Sequence, residues 1–245
     1  MNERYLRKAV LGTAFFLIFA GFPAPVLAQV AISPVRIDLS DTRAKDVIRI
    51  KSQTETPRSY EVEVVSWSQS ETEREIYSPT EDVIAVPPLF TLGPGEEQVL
   101  RLGMMTEADA EKEQAYRVFI TELTPPNDGE RQTSGVNMRL RIGVPVFVAA
   151  KSAANPKLEH VASEEIDGHF YMQVRNPGNM HVRVSEIRYL SSGQDEPQVE
   201  ATSIYILAGM SGRIPVPVPG SGHGGRVTLV TDTLGNVEYD LSASM

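Results

Sequence analysis

Residues 136–148 read VNMRLRIGVPVFV. Every second position (Val136, Met138, Leu140, Ile142, Val144, Val146 and Val148) is apolar, and between them stand Asn137, Arg139, Arg141, Gly143, Pro145 and Phe147. Successive side chains of a strand point to opposite faces, so this alternation predicts a strand with one continuous apolar face. Strands usually run about 5–6 residues. This row is therefore longer than one small core covers, and its surplus calls for a second surface to bury it.

Strand-like segments separated by turn signals recur on both sides, and no stretch shows sustained helical periodicity. Upstream lie VAISPVRIDL (30–39), DVIRIKSQ (46–53), RSYEVEVVSWSQ (58–69), DVIAVPPLFTL (82–92), EQVLRLGMM (97–105) and QAYRVFITELTP (114–125). With the opening stretch they make seven, the number of an immunoglobulin-like sandwich of two antiparallel sheets. Pro87-Pro88 interrupts its segment, so that strand is expected to kink, lie at an edge or switch sheets. TPPNDGERQTSG (124–135) reads as a long loop leading into the opening strand, and ETEREIYSPTED (71–82) as a solvated loop without a function. Trp67, on an apolar strand, is a core residue.

The small-residue segment AAKSAANP (149–156) marks a joint. Beyond it HFYMQVRN (169–176), HVRVSEIRYL (181–190), SIYILAG (203–209), GRIPVPV (212–218), GRVTLVTD (225–232) and NVEYDLS (236–242) predict a second, smaller sandwich. The fold class is all-β, with two immunoglobulin-like domains at 29–150 and 151–245 after a leader at 1–28.

That leader carries Arg4, Arg7 and Lys8, an uncharged apolar run from Ala9 to Phe22, two prolines, and Val26-Leu27-Ala28 before Gln29. This is the layout of a secretory signal peptide cleaved after Ala28. The alternative is an uncleaved anchor, since 9–28 is long enough to span a bilayer. Cleavage removes three basic residues and one acidic residue from 23 and 32, leaving net charge −11 on about 217 residues. So acidic an exported chain argues against nucleic acid as a partner. Cysteine is absent, so burial and hydrogen bonds hold the fold without disulfides.

Signals for catalysis are weak. There is no nucleophile elbow. His160, His169, His181 and His223 lie far apart without a second ligand at a metal-binding spacing. GSGHGG (220–225) precedes a strand, whereas a phosphate loop needs a helix N-terminus behind it, so it is expected to be a hairpin loop. No enzyme activity, cofactor, metal or small-molecule substrate is expected.

In order along the chain, VRIDLSD (35–41), VPPLFTLGPGEEQVLRLG (86–103), YRVFITELTPP (116–126) and IGVPVFV (142–148) resemble the periplasmic pilus-assembly chaperones of the PapD-like family. VRNPGNMHVRVSEI adds a weaker likeness in the second half, and the Gly-Val-Pro-Val-Phe-Val form resembles the family's divergent branch that serves archaic-type pili. The resemblance implies two sandwiches in a boomerang, located in the periplasm. Such a protein captures pilin-like subunits that lack their last strand, caps their open groove and delivers them for fibre assembly, with an outer-membrane usher as a further partner. It leaves open a dimer in which the free chaperone caps its own strand.

Residue by residue, the resemblance puts Val136, Met138, Leu140 and Ile142 on the donor strand that fills the subunit's groove, a form of strand addition. Burying each could contribute roughly 1.5–3 kcal/mol. The alternative is that they complete this chain's own core, a reading that suits Val144 and, at the join, Ile142. Arg36 takes the place of the family's first-strand arginine, which holds the subunit's C-terminal carboxylate with its planar fork. The partner lysine of better-known relatives falls on Pro145, and Arg141, Arg117 and Lys151 are the candidates to replace it. Two other functions compete: a structural or adhesive fibre subunit, and a periplasmic ligand-binding sandwich.

Overall fold

The structure, a computed structural model, describes residues 29–123, 139–218 and 224–241. The leader at 1–28 and the donor-strand positions Val136 and Met138 lie outside the described residues. In the first sandwich the strands are β1 (Val30–Ser33), β2 (Ile37–Leu39), β3 (Lys45–Ser52), β4 (Arg58–Ser68), β5 (Ile76–Pro79), β6 (Val83–Val86), β7 (Leu89–Leu92), β8 (Glu97–Met104), β9 (Gln114–Glu122) and β10 (Arg141–Val148). One sheet runs β1-β3-β8-β6. The other runs β2-β10-β9-β4-β5, with β7 also paired to β4.

Two segments that read as single strands are each divided at a proline. The stretch 30–39 becomes β1 in one sheet and β2 in the other, with Pro34 between them, and 82–92 changes sheet at Pro87-Pro88. Proline has no N–H to give to a ladder, so the chain leaves one sheet there and can join the next. Side chains from both sheets interlock between them. Ile37, Ile48, Ile50, Leu100, Val118 and Val146 are fully buried.

The second sandwich has β11 (Glu159–Ile166), β12 (His169–Arg175), β13 (Val182–Ser191), β14 (Gln198–Ile206), β15 (Ser211–Val216), β16 (Gly225–Thr231) and β17 (Gly235–Asp240). Its sheets run β11-β12-β15 and β14-β13-β16-β17 around Met172, Val174, Val184, Ile187, Ile214 and Leu229.

Three sequence readings need correction. The charged stretch 71–82 contains β5, which pairs with Val65–Ser68 of β4; its short edge position buries too little for a periodic apolar signal. Residues 159–166 form an edge strand, β11, that carries too many acids to show alternation. The strands flanking GSGHGG, β15 and β16, belong to different sheets and so do not form the expected hairpin; residues 220–223 themselves lie outside the described residues.

The sandwiches meet through side chains from both. Trp67, Phe147 and Leu207 are buried together, with Ala115, Tyr205 and Met210 against them. The Phe147 ring stacks on the His181 ring at 3.7 Å between centroids, 15° from parallel. His181 is buried, and its Nδ1 lies 2.7 Å from Glu113 Oε1, an oxygen that also accepts the His181 main-chain N–H at 3.0 Å. Gln69 bridges the same joint: its Nε2 donates to the Tyr205 carbonyl at 2.7 Å and its Oε1 accepts the Leu207 N–H at 2.9 Å. Trp67, expected to be a core residue, is buried, and the cluster that buries it draws on both sandwiches.

Candidate functional site

Strand β10 is bonded to β9 along its whole length, from Arg141 opposite Thr121 to Val148 opposite Gln114. On its other side β2 runs parallel to it and reaches only Val146–Val148. Among the described residues, no strand covers Arg141–Pro145 on that side. An uncovered edge offers main-chain donors and acceptors to any extended chain laid beside it.

Burial changes along the same strand. Val144, Val146 and Val148 are at most 2% exposed, whereas Leu140 and Ile142 are half-buried, packed against the same core but reachable from outside. The apolar face thus passes from closed to partly open where the edge becomes free.

The free edge ends at a cleft between the sandwiches, of about 710 Å³, lined by Arg36, Arg117, Pro145, Arg183, Tyr205 and Asp232 among others. A second cavity of about 460 Å³ shares Arg117 and Tyr205 and reaches Trp67 and Arg74. Arg36 immediately precedes β2. Its Nε donates to Asp38 Oδ2 at 3.1 Å and its Nη1 to Asp232 Oδ2, from the other sandwich, at 3.3 Å. Burial alone would lower the Arg36 pKa, but Asp38 and Asp232 hold it above the ordinary value.

The three candidates for the second cation are placed apart. Arg117 faces Pro145 across the β9–β10 ladder, so it stands at the cleft beside the position of the absent lysine. Its Nη1 donates to Glu75 Oε1 at 2.6 Å and its guanidinium carbon lies 4.0 Å from the centre of the Trp67 ring. Gly143 gives it room: a Cβ there would sit 2.9 Å from Arg117 Cδ and 3.0 Å from Phe119 Cε1. Arg141 instead covers the Phe119 ring at 3.8 Å and faces Glu63 at 3.7 Å. Lys151 is held by Glu107 at 2.7 Å and Asp41 at 3.6 Å. Neither lines the cleft.

Residues the sequence reading did not single out complete the site. Arg183 and Tyr205 come from neighbouring strands, β13 and β14, paired at this level. Tyr205 is raised above the ordinary phenol pKa, chiefly by burial, with Arg183, Arg36 and Arg117 pulling down and Asp232 pushing up. It is a neutral O–H donor at neutral pH.

An uncovered strand edge that ends at a cleft lined by Arg36, Arg117 and Arg183, between two immunoglobulin-like sandwiches, is a surface shaped for an extended polypeptide. The profile of the family described as pili and flagellar-assembly chaperone, PapD N-terminal domain, matches residues 29–153. The chain belongs to that family. Among solved structures, it is similar over 87% of its length and 98% of the matched chain (18% identity, TM-score 0.65) to the CsuC–CsuE chaperone–tip adhesion subunit pre-assembly complex from archaic chaperone-usher Csu pili of Acinetobacter baumannii. A complex of the SafA pilin with the SafB chaperone of Salmonella enterica matches at 16% identity and TM-score 0.59, over 89% of this chain and 99% of that one. The Escherichia coli chaperone DraB matches at 16% identity and TM-score 0.54, over 88% and 98%. These likenesses show the two-domain fold. No curated protein matches by sequence.

Proposed function

We propose that the chain is a periplasmic chaperone that binds, folds and caps pilin-like subunits by donating the β10 edge and the residues before it, then delivers them to an outer-membrane usher. The observation that carries this is the uncovered side of Arg141–Pro145, continuous with the half-open apolar face at Leu140 and Ile142. A subunit that lacks its last strand would gain main-chain hydrogen bonds along that edge. It would fill its groove with Val136, Met138, Leu140 and Ile142. Because much of such an interaction is main-chain, it tolerates several related subunits. Similarity to structures described as chaperones of pili, one of an archaic system, supports the reading. We place the domain boundary at 150/151, between β10 and β11, and the mature start at Gln29.

In the cleft, Arg36 would receive the subunit's C-terminal carboxylate and so fix the register of the donated strand. Arg117 is the candidate for the second cation that the lining of the cleft favours.

The test is Met138→Glu combined with Leu140→Glu, purified from the host periplasm and scored by the small β-rich subunits that accompany the chain. The variant is expected to keep its circular-dichroism spectrum and lose its subunits. Unchanged subunit recovery would sink the donor-strand reading. Because Leu140 touches the chain's own core, Val136→Glu with Met138→Glu is the companion variant.

A further inference from the structure

The three arginines of the larger cleft are not equally engaged. Arg36 already faces two carboxylates, Asp38 and Asp232. Arg117 faces Glu75 at 2.6 Å. Arg183 faces none among the described residues: its Nε donates to Ser203 Oγ at 3.2 Å, and its guanidinium carbon stands 5.9 Å from the Tyr205 ring centre. Its root is fixed, since its main-chain N–H donates to Asp232 Oδ1 at 3.2 Å and its carbonyl accepts the Asp232 N–H at 3.2 Å. The Tyr205 hydroxyl likewise has no hydrogen-bond partner among the described residues. A positioned fork without an acid, beside an unused neutral donor, is a receptor for a planar anion.

The surroundings narrow which anion it is. Asp232 and Glu75 also line the cleft, and two resident carboxylates disfavour a dianion such as phosphate. Gly143 and Pro145 belong both to the free β10 edge and to the cleft wall, so a strand laid along that edge has its end beside Arg183.

We propose that Arg183, with the Tyr205 hydroxyl, is the second domain's contribution to holding the client's C-terminal carboxylate, which is then clamped from both sandwiches. This rests on the reading of the cleft as the receptor of a client C-terminus. Binding then depends on how the domains are docked, and Arg36 shares its fork between Asp232 and the client.

The single tryptophan, Trp67, lies under Arg117 in the adjoining cavity, so its emission reports on the cleft. The probe is an N-acetylated octapeptide of alternating threonine and valine ending in phenylalanine, made once with a free C-terminal carboxylate and once as the amide. The wild-type chain is expected to prefer the acid at least tenfold. Arg183→Met is expected to reduce that preference about tenfold, equivalent to about 1.4 kcal/mol. Arg183→Lys should keep part of it, and Tyr205→Phe should lower it a few-fold. Full preference in folded Arg183→Met, with preference lost in Arg36→Met, overturns this inference and leaves the carboxylate reading standing. No preference in the wild-type chain overturns both. If Arg183→Met does not fold, Arg183→Lys and Tyr205→Phe decide, and unchanged preference in both refutes the assignment.

Discussion

The cleft exists only while the two sandwiches are docked, and Gln69 offers the cleanest way to test what docks them. Gln69 is buried, and its amide makes one hydrogen bond to the Tyr205 carbonyl and one from the Leu207 N–H. Gln69→Leu keeps the volume but leaves both main-chain groups unpaired. An orphaned buried group costs about 1–3 kcal/mol, and the carbonyl, with two lone pairs, is the easier to re-satisfy; the pair should cost about 2–4 kcal/mol. For a chain of this length that lowers the melting temperature by roughly 5–15 °C. The loss falls on the joint and leaves each core intact, so it should also uncouple the domains. Scanning calorimetry is the assay. The wild type is expected to melt in one transition, and Gln69→Leu in two, the lower one shifted by that amount. A single transition within about 1 °C of wild type would refute the argument that these two bonds join the domains.

Two further outcomes follow from local geometry and from the leader. In Gly143→Ala the new methyl meets the middle of the Arg117 side chain, so Arg117 should swing off Trp67. Tryptophan emission should change and acid-peptide binding weaken, at a stability cost of about 1–3 kcal/mol in urea unfolding; unaltered emission would show that Arg117 stays in place. Intact-mass measurement of the periplasmic protein should give a chain that starts at Gln29, and a retained leader would support the anchor alternative.

Much of the fold was readable because each half-buried strand carries its own period-2 signal. Tyr60, Val62 and Val64 alternate with Glu61 and Glu63, and β4 lies there. Pro87-Pro88 announced a break and the chain does change sheets. Edge strands were less legible: β5 and β11 bury little, so neither their charges nor their few apolar residues show a face. The site divides along the same line. Arg36 and the β10 edge could be named through the resemblance and the apolar row. Tyr205, Asp232, Gln69 and the His181–Glu113 pair could not, because each acts across the joint between domains, and Arg183 could not, because only the folded cleft brings it beside Arg36 and Arg117. The meeting of residues some 70–200 positions apart leaves no periodic trace. One local hint existed: Gly143 and Pro145 break the small alternate face of β10 where the cleft wall needs low bulk.

A client laid against the uncovered side of β10 would shield that edge from solvent. Hydrogen exchange read by mass spectrometry, on the free chain and on its complex with a subunit recovered from the periplasm, tests it directly. Among the described residues, main-chain groups of Arg141–Val144 on the β2 side have no strand partner. Complex formation should slow exchange across 136–144 and leave the edge strands β11 and β14 unaltered. Unaltered exchange across 136–144, with slowing at β11 or β14 instead, would contradict the account.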